Sequence, residues 1–370
     1  MLREALRLRV DVPAAPGGYD VVCGRGVLTA LPALLEEIGA MGRVLVLSDA
    51  TVAPLHGRRV VTLLGAAGWD ALLWAMPAGE AHKTLETVSA AYSWLAGQRV
   101  ERGDTIVALG GGVVGDLAGF VAATYLRGLR LVQAPTTLVA QIDSALGGKV
   151  GVDLPAGKNL VGAFHQPALV LADVDLLATL PEREWRAGLA EVIKHGVIRD
   201  RGLLDLLERR RADIVARDPG VVAGMVAQAA AVKVAVVVED PLERGLRRIL
   251  NYGHTLGHAI ERAAGYGVVL HGEAVAWGMA AAARIAAQLG TCDGAFVAWQ
   301  DALLRAYGLC MPLPVLQADA VLQATRLDKK TAGGHLHWVL PRGPGEVTVT
   351  HDVPSVAVDA AVDWLVAEGR

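Results

Sequence analysis

The sequence has very little cysteine. Only Cys23, Cys292 and Cys310 occur in 370 residues, and each is isolated from the other two. An odd number of scattered cysteines forms neither a disulfide framework nor a thiolate metal site. Any metal centre is therefore expected to use histidine and carboxylate ligands. This cysteine usage also fits a reducing compartment, so we expect a cytoplasmic protein.

An excess of positive charge is missing as well. The chain has 35 Lys and Arg against 38 Asp and Glu, for a formal net charge of -3. Binding to a nucleic-acid backbone depends on clustered basic residues, so no nucleic-acid partner is expected. No window offers the roughly 20 clean apolar residues of a membrane span, because the most apolar stretch, 221–238, contains Gln228 and Lys233. The first ten residues carry a charge every few positions, unlike a signal peptide, and no membrane partner is expected.

What the sequence does contain is ample material for a core. Hydrophobic residues make up 53% of the chain and charged residues 20%, and at roughly 150 residues per domain the length predicts about two domains. The 43 glycines are concentrated at the ends of apolar runs. That placement is typical of α/β enzymes, whose strands end in tight turns that face a ligand.

Strand and helix patterns alternate up to about residue 175. Residues 6–12 alternate apolar and charged side chains, as in a half-buried strand. Short apolar runs predict further strands at 43–49, 71–76, 104–112 and 129–135. Helical spacing predicts helices at 28–38, 85–96 and 113–125.

After Pro181 the pattern changes to long segments rich in Ala, Leu and Val with helical spacing. These segments extend to about residue 288, a further helix is expected at 294–307, and 335–341 is compatible with a late strand or hairpin. We therefore predict an α/β, Rossmann-like nucleotide-binding domain over 1–178. A mostly α-helical domain that binds metal and substrate is predicted over 179–370.

A glycine-rich turn is the first candidate binding site. Residues 110–115 fit the pattern G-x-G-x-x-G between a predicted strand and a predicted helix. Such a turn lets backbone N–H groups and the helix N-terminus approach a pyrophosphate. The same glycines also suit a plain strand–helix turn, and the acid usually found about 20 residues later is missing, with Arg127 and Arg130 there instead. Asp49, at the end of another strand, is either the ribose-binding acid or a turn residue.

Histidines and acids at helical spacing suggest a metal centre. His254 and His258 are four residues apart and share a helix face, and His271 and Glu273 lie at another predicted helix start. Glu191 interrupts an apolar helix, where a carboxylate is costly to bury unless it is paired or bound to metal. Two histidines with one glutamate would form a zinc site with an open fourth position. Each histidine alone is equally compatible with an ordinary helix residue.

Basic residues are unexpectedly frequent near these motifs. They include Lys149, Lys158, Lys194, Lys233, Arg247, Lys329 and Lys330. Lysines inside apolar helices must reach either water or an anion. If several converge, they would bind a substrate that carries phosphate and carboxylate groups. These patterns together indicate a metal-dependent, nicotinamide-using enzyme that acts on a phosphorylated polyol.

At these residues the chain resembles the 3-dehydroquinate synthase family of the sugar-phosphate cyclase superfamily. The resemblance covers roughly residues 44–340 and rests on six long motifs. They are LGGGVVGDLAGFVAATYLRG (109–128), QAPTTLVAQIDSALGGKVGVDLPAGKNLVGAFHQP (133–167), LAEVIKHG (189–196), RRILNYGHTLGHAIE (247–261), HGEAVAWGM (271–279) and DKKTAGGHLHWVLP (328–341). It implies a dehydroquinate synthase-like fold, NAD⁺ and Zn²⁺ as cofactors with Co²⁺ as an alternative metal, and a homodimer.

The implied reaction converts 3-deoxy-D-arabino-heptulosonate 7-phosphate, a phosphorylated seven-carbon acid, into 3-dehydroquinate and phosphate in the shikimate pathway. It proceeds by transient NAD-dependent oxidation, elimination of phosphate, re-reduction and intramolecular aldol closure. NAD⁺ is therefore regenerated at each turnover. Such cofactor chemistry leaves the protein to supply geometry and electrostatics.

The resemblance also implies roles for individual residues. The metal ligands would be Glu191, His254 and His271. The catalytic residues would be Lys149, Asn159, His258, Lys194 and Asp143. Substrate would be bound by Arg127, Lys233, Arg247, Asn251 and Lys330, with Arg127 reaching the phosphate across the dimer interface. NAD⁺ would be bound by Asp49, Glu80, Lys83, Gly110, Gly111, Gly112, Asp116, Thr136, Thr137, Lys158 and Thr179.

Two departures from the family pattern bear on substrate detail. The family commonly has Asn and His where this chain has Asp153 and Leu154, and often Tyr in place of His195. Two alternative functions stay open at this stage. One is another sugar-phosphate cyclase, whose substrate lacks the carboxylate that Arg247 and the lysines favour. The other is a metal-dependent polyol dehydrogenase, which would release NADH and need fewer cationic side chains.

Overall fold

The computed structural model describes residues 5–13, 15–331 and 336–369. Two compact units divide the chain. The first comprises Met1–Leu180 and Val222–Pro241, and the second comprises Pro181–Val221 and Leu242–Arg370. The segment 222–241, which the sequence boundary assigned to the second domain, thus clusters with the first unit.

The first unit is built on a seven-stranded sheet with the order β1-β2-β9-β6-β5-β3-β4. Its strands are β1 Leu6–Val12, β2 Ala15–Gly24, β3 Val44–Asp49, β4 Ala71–Met76, β5 Thr105–Gly110, β6 Arg130–Pro135 and β9 Leu169–Asp173. Only β1 pairs antiparallel, with β2, and all other neighbours are parallel. Strands β7 Lys149–Leu154 and β8 Gly157–Phe164 form a separate antiparallel hairpin.

Helices cover both faces of this sheet. They are α1 Leu31–Glu37, α2 Arg58–Ala66, α3 Leu85–Gly97 and α4 Gly112–Thr124. Leu45 and Leu47 of β3 belong to one buried cluster, whereas Val44 and Val46 belong to the other. Successive strand residues point to opposite faces, so burial on both faces explains why β3 and β5 are continuous apolar runs.

The order of the parallel strands creates a switch point between β3 and β5. From β3 the chain moves outward to β4, then returns to β5 on the other side of β3 and continues to β6. In open α/β sheets, ligands bind outside the carboxyl ends of the strands at such a point. Asp49 ends β3 and Gly110 ends β5, so two predicted cofactor residues lie at this edge of the sheet.

The second unit is mostly helical. Its helices are α5 Glu182–Arg199, α6 Arg201–Arg209, α7 Arg211–Val215, α9 His254–Ala264, α10 His271–Gln288, α11 Gly294–Ala306, α12 Ala318–Thr331 and α13 Ser355–Glu368. A hairpin of β10 Trp338–Gly343 and β11 Glu346–Thr350 accompanies them, as the apolar run at 335–341 allowed. The predicted fold class is therefore confirmed: an α/β unit with a parallel sheet is followed by a helical unit.

Helix α8, Pro219–Glu239, is the longest of the described helices, with 21 residues. It is the one described helix that is long and apolar enough to cross a membrane, but 61% of its most apolar window is buried inside the fold. An apolar helix that is mostly buried is typical of a protein core. Its hydropathy is therefore weak evidence for a membrane span.

Candidate active site

The three predicted metal ligands lie together in the second unit. Glu191 comes from the middle of α5, while His254 and His271 are the first residues of α9 and α10. One candidate ligand atom from each lies within 4.8 Å of the other two. Glu191 Oε1 is 3.8 Å from His254 Nε2 and 3.7 Å from His271 Nε2. Ligand atoms about 2.1 Å from a tetrahedral zinc ion are about 3.4 Å apart, so this spacing is close to that of a zinc site.

Glycines allow the three helices to approach this closely. A Cβ on Gly272, next to His271, would stand 1.9 Å from the Ala187 carbonyl oxygen of α5. A Cβ on Gly278 of α10 would stand 1.9 Å from the carbonyl oxygen of Gly253, the residue before His254. Gly253 itself has a φ of 79°, in the left-handed region that favours glycine. The separations among α5, α9 and α10 therefore depend on the absence of side chains at these positions.

Hydrogen bonds orient both histidine rings toward Glu191. His254 Nδ1 is 3.2 Å from the Tyr252 carbonyl oxygen, which can only accept, so this nitrogen carries the proton. His271 Nδ1 is 3.1 Å from Glu261 Oε2. In each ring Nε2 is then the nitrogen that faces Glu191. The buried Tyr252 hydroxyl donates to Gln300 Oε1 at 2.6 Å, which fixes the turn before α9.

The electrostatics of the group fit a cation. Glu191 is 1% exposed, and its Oε1 accepts no hydrogen bond from the described residues. Its Oε2 forms an ion pair with Lys194, one turn later on α5. Burial and the nearby Lys194 hold the pKa of His254 well below its ordinary value, so this imidazole is neutral, as a metal ligand must be. Burial also acts to lower the pKa of His271, but the Glu261 hydrogen bond and the charge of Glu191 outweigh it and raise that pKa.

The other two candidates from the sequence have different surroundings. The His258 ring is centred 5.3 Å from that of His254 and 5.8 Å from that of His271, so helical spacing does bring it beside the ligand pair. Glu273 instead accepts from the Leu270 N–H at 2.9 Å and from Arg183 Nε at 2.7 Å. Its carboxylate caps α10 and is not part of the three-ligand group.

The glycine turn of the first unit has the geometry expected of a cofactor turn. Gly110 ends β5 and Gly112 begins α4, whose N-terminus receives no side-chain cap within the part of the chain that the structure describes. A Cβ on Gly110 would meet Val114 at 2.6 Å, and one on Gly111 would meet Thr137 at 3.0 Å. Backbone N–H groups at the start of a helix are donors without an internal partner. The backbone N–H groups of this turn are therefore available as donors beside the predicted residues Thr136 and Thr137.

Asp49 has the turn role that its position allowed. Its Oδ1 accepts from the backbone N–H groups of Thr51 and Val52, both at 2.8 Å. The carboxylate lies at the carboxyl end of β3, next to the strand that carries the glycine turn. The turn role and the predicted ribose contact are compatible, because a carboxylate has a second oxygen.

Lys83 joins two predicted groups of residues. It is 3% exposed, and its Nζ donates to Asp116 Oδ2 at 2.5 Å and to Asn159 Oδ1 at 2.6 Å. Burial acts to lower the pKa of Lys83, but Asp116, Glu80 and Asp153 outweigh it and raise that pKa. The structure thus brings together two predicted cofactor residues and one predicted catalytic residue around a charged ammonium group.

Asp153, one of the departures from the family pattern, supports this arrangement. Asn159 has a φ of 55°, which is uncommon for a residue other than glycine. Its backbone N–H donates to Asp153 Oδ1 at 2.7 Å, and the Asp153 N–H donates to the Lys83 carbonyl oxygen at 2.8 Å. The aspartate therefore links the β7–β8 hairpin to the segment that carries Lys83.

Other predicted residues form pairs within their own units. In the first unit Lys233 of α8 forms an ion pair with Asp143, and Lys158 Nζ is 3.7 Å from Glu80 Oε1. Thr179 Oγ1 donates to the Leu176 carbonyl oxygen at 3.0 Å, so the single hydroxyl proton is used and His56 Nε2, 2.9 Å away, must donate to it.

The remaining predicted residues are spread over both units. In the second unit Asn251 Nδ2 donates to Glu243 Oε1 at 3.2 Å, and Arg247 is 3% exposed. In the first unit Lys149 begins β7, and Arg127 follows α4 with a φ of 69°. His195, a departure from the family pattern, is fully buried in α5. The Lys330 side chain lies outside the described residues.

Sequence reasoning missed Glu261 and Tyr252, which orient the two histidines. A signal for Glu261 was available. It lies seven residues after His254 and three after His258, so helical spacing places all three on one face of α9. An acid at that position in an amphipathic helix needs a partner when buried, and Glu261 is 5% exposed.

Comparisons with known proteins cover nearly the whole chain. A family model described as 3-dehydroquinate synthase N-terminal matches residues 73–187, and one described as 3-dehydroquinate synthase C-terminal matches residues 188–331. The 3-dehydroquinate synthase of Symbiobacterium thermophilum is 50% identical over 350 residues, which are 94% of this chain and 98% of that protein. The 3-dehydroquinate synthase of Pelobacter propionicus is 48% identical over 92% of this chain and 95% of that protein.

Solved structures of sugar-phosphate cyclases resemble this chain over most of its length. The 2-epi-5-epi-valiolone synthase of Streptomyces hygroscopicus subsp. jinggangensis, with NAD⁺ and Zn²⁺ bound, superposes with a TM-score of 0.86 at 33% identity, covering 94% of this chain and 97% of that one. A 2-deoxy-scyllo-inosose synthase, complexed with carbaglucose-6-phosphate, NAD⁺ and Co²⁺, gives a TM-score of 0.87 at 27% identity and covers 96% and 99%. A glycerol dehydrogenase of Schizosaccharomyces pombe, at 16% identity and a TM-score of 0.67 over 94% and 89%, shares the fold. On this evidence the chain belongs to the 3-dehydroquinate synthase family.

Proposed function

We propose that this chain converts 3-deoxy-D-arabino-heptulosonate 7-phosphate into 3-dehydroquinate and phosphate, with NAD⁺ and a divalent metal ion as cofactors. The observation that carries the proposal is the group Glu191, His254 and His271. It combines a buried carboxylate oxygen that accepts no hydrogen bond from the described part of the chain and two imidazole Nε2 atoms turned toward it. In a member of this family, such a group is explained by a metal ion that binds substrate hydroxyls.

Glu191, His254 and His271 would hold Zn²⁺, with Co²⁺ as the alternative. A zinc ion with an open position acts as a Lewis acid and lowers the pKa of a bound hydroxyl. The neighbouring side chains then set the protonation states that this site needs. Lys194 pairs with Glu191 through Oε2, and the carbonyl of Tyr252 keeps the proton of His254 on Nδ1.

NAD⁺ would lie at the glycine turn, where it would accept a hydride from the substrate and later return it. The backbone N–H groups at the start of α4 would bind its pyrophosphate. The full set proposed for the cofactor is Asp49, Glu80, Lys83, Gly110, Gly111, Gly112, Asp116, Thr136, Thr137, Lys158 and Thr179. Because Lys83 bridges Asp116 and Asn159, cofactor binding would also act on strand β8, which carries Asn159.

The substrate would be held mainly by cationic groups, since it carries both phosphate and carboxylate. The residues proposed for binding are Arg127, Lys233, Arg247, Asn251 and Lys330, and those proposed for catalysis are Lys149, Asn159, His258, Lys194 and Asp143. Lys149, Asn159 and His258 would position the phosphate, which itself would take the proton during elimination. A homodimer in the cytoplasm completes the proposal, with Arg127 supplied across the dimer interface.

The test is an assay of the purified chain with three substrates: the seven-carbon acid phosphate, sedoheptulose 7-phosphate and glucose 6-phosphate. We expect phosphate release with the first only, together with 3-dehydroquinate and no net NADH. A chelator should abolish turnover, and added Zn²⁺ or Co²⁺ should restore it. Turnover of another sugar phosphate instead would identify a different cyclase, net NADH would identify a dehydrogenase, and full activity of the metal-stripped chain would refute the metal assignment.

A further inference from the structure

Glu261 is a buried acid whose position the proposed reaction leaves unexplained. It lies on the last half of α9, and its side chain is 6% exposed. A carboxylate at that depth is costly unless it is paired or hydrogen-bonded. Its Oε2 lies 3.1 Å from His271 Nδ1, within hydrogen-bond range. Glu261 therefore contacts one of the proposed metal ligands directly.

The two ring nitrogens of His271 face different carboxylates. Nδ1 meets Glu261, while Nε2 lies 3.7 Å from Glu191 Oε1. A carboxylate that accepts from one nitrogen fixes the tautomer and leaves the other nitrogen with its lone pair toward the metal. His254 has the same division, but its Nδ1 meets the neutral carbonyl of Tyr252. Of these two proposed ligands, His271 is the one whose Nδ1 contacts a carboxylate among the described residues.

A second three-residue group includes the same glutamate. His258, Glu261 and His271 also place one candidate ligand atom each within 4.8 Å of one another. Two roles for Glu261 follow from this: it is either a ligand of a second cation or the hydrogen-bond partner of His271. A second ion held through His271 Nδ1 would require that nitrogen to lose its proton and its hydrogen bond to Glu261. Since it is Glu191 whose Oε1 accepts no hydrogen bond from any described residue, the geometry favours a single ion at Glu191.

We propose that Glu261 is a positioning residue, which holds His271 in the metal-binding tautomer and orientation and so raises the affinity of the site for its ion. The proposal rests on the assignment of Glu191, His254 and His271 as metal ligands. It predicts that Glu261 acts on metal affinity through its hydrogen bond and its charge separately. Loss of such a partner typically costs 10- to 100-fold in metal affinity.

The test measures zinc affinity by competition with a chromophoric chelator, without any activity assay. In Glu261→Gln the amide oxygen still accepts from Nδ1 but the charge is gone, and we expect about 10-fold weaker binding. In Glu261→Ala both are lost, and we expect about 100-fold weaker binding. Glu346→Gln is the matched control, because Glu346 lies on β11 with a side chain that is 62% exposed. That variant should bind zinc like the unsubstituted chain.

Circular dichroism checks that each variant is folded, and Glu261→Gln, which preserves the side-chain volume, keeps the test valid if Glu261→Ala does not fold. Equal affinity of Glu261→Gln and the unsubstituted chain would overturn the separate contribution of the charge, and equal zinc affinity of Glu261→Ala and the unsubstituted chain would overturn the proposal. So would two zinc ions per unsubstituted chain and one per Glu261→Gln chain, because Glu261 would then be a ligand. The variant Glu191→Gln tests the metal ligands separately from the role of Glu261. If Glu191→Gln also binds zinc normally, the assignment of the metal ligands is wrong.

Discussion

The contact at Gly272 leads to a sharp prediction about the metal site. Gly272 is the second residue of α10, directly after His271, and a Cβ there would stand 1.9 Å from the Ala187 carbonyl oxygen. That oxygen belongs to α5, the helix that also carries Glu191. The neighbouring atoms are backbone too, at 2.6 and 3.0 Å, so no side-chain rotation relieves the clash. Substitution Gly272→Ala must therefore move one helix relative to the other.

The size of that movement follows from the contact. Carbon and oxygen atoms approach to about 3.3 Å in close protein contacts, so the two backbones must separate by about 1.4 Å. Metal–ligand distances in a working site vary by only about 0.2 Å. A shift several times larger at the residue next to His271 removes one ligand, and we expect zinc affinity to fall by at least about 100-fold. Overpacking of this kind costs about 3 kcal/mol of folding free energy.

The measurement pairs zinc competition titration with urea unfolding of the metal-free chain. The control is Gly224→Ala in α8, where a Cβ would meet nothing within 4 Å. Alanine in a helix interior is favoured over glycine by about 0.5–1 kcal/mol, so this control should bind zinc normally and unfold at an equal or higher urea concentration. If Gly272→Ala binds zinc and unfolds like the unsubstituted chain, the glycine contact does not set the ligand geometry.

Two further predictions concern stability. Burial acts to raise the pKa of Glu273, but hydrogen bonds from Arg183 and the Leu270 N–H lower it, so its contribution is present near pH 7 and is lost as pH falls below the ordinary value of 4.5. Glu273→Gln should therefore cost about 1 kcal/mol at pH 7 and almost nothing at pH 3, and equal cost at both would refute the ion-pair cap. Burial raises the pKa of Cys23 to about 12 from 9.0, so only the unfolded chain loses that proton at intermediate pH and stability falls. Between pH 8 and pH 10.5, the free energy of unfolding of Cys23→Ala should fall by about 2 kcal/mol less than that of the unsubstituted chain. Equal falls in the two chains would contradict the raised pKa of Cys23.

Strands buried on both faces were predictable because apolar runs between glycines mark them directly. The predicted strand at 71–76 coincides with β4, and those at 43–49 and 129–135 match β3 and β6 to one residue at the start. Strands β2, β7, β8 and β9 were not predicted. β2 contains Pro16 and the left-handed glycines Gly17 and Gly18, which resemble a turn, and β7–β8 is a two-stranded hairpin with only partial burial.

The candidate site was also predictable only in part from local sequence patterns. Helical spacing alone placed His254 and His258 on one face of a helix, and an acid in an apolar helix marked Glu191. Spacing could not decide which histidines would bind a metal ion together with Glu191, since that depends on the packing of α9 and α10 against α5. Nor could spacing show the role of Glu273 beside His271, because its carboxylate accepts from Arg183, 90 residues away in sequence. Contacts between distant segments decide these choices, and local patterns do not encode them.

The protein itself fixes the positions of the three proposed metal ligands. His254 Nδ1 and His271 Nδ1 are held by Tyr252 and Glu261, and both helices are packed through glycines, so the directions of the Nε2 atoms follow from contacts that involve no ion. The buried carboxylate of Glu191 is a cost that this arrangement has to offset, and the ion pair with Lys194 offsets part of it through Oε2 alone. Oε1 is left as an acceptor that no described residue satisfies. Preorganised ligands with one uncompensated negative oxygen should bind Zn²⁺ or Co²⁺ with little rearrangement, because both ions suit the same spacing of nitrogen and oxygen ligands.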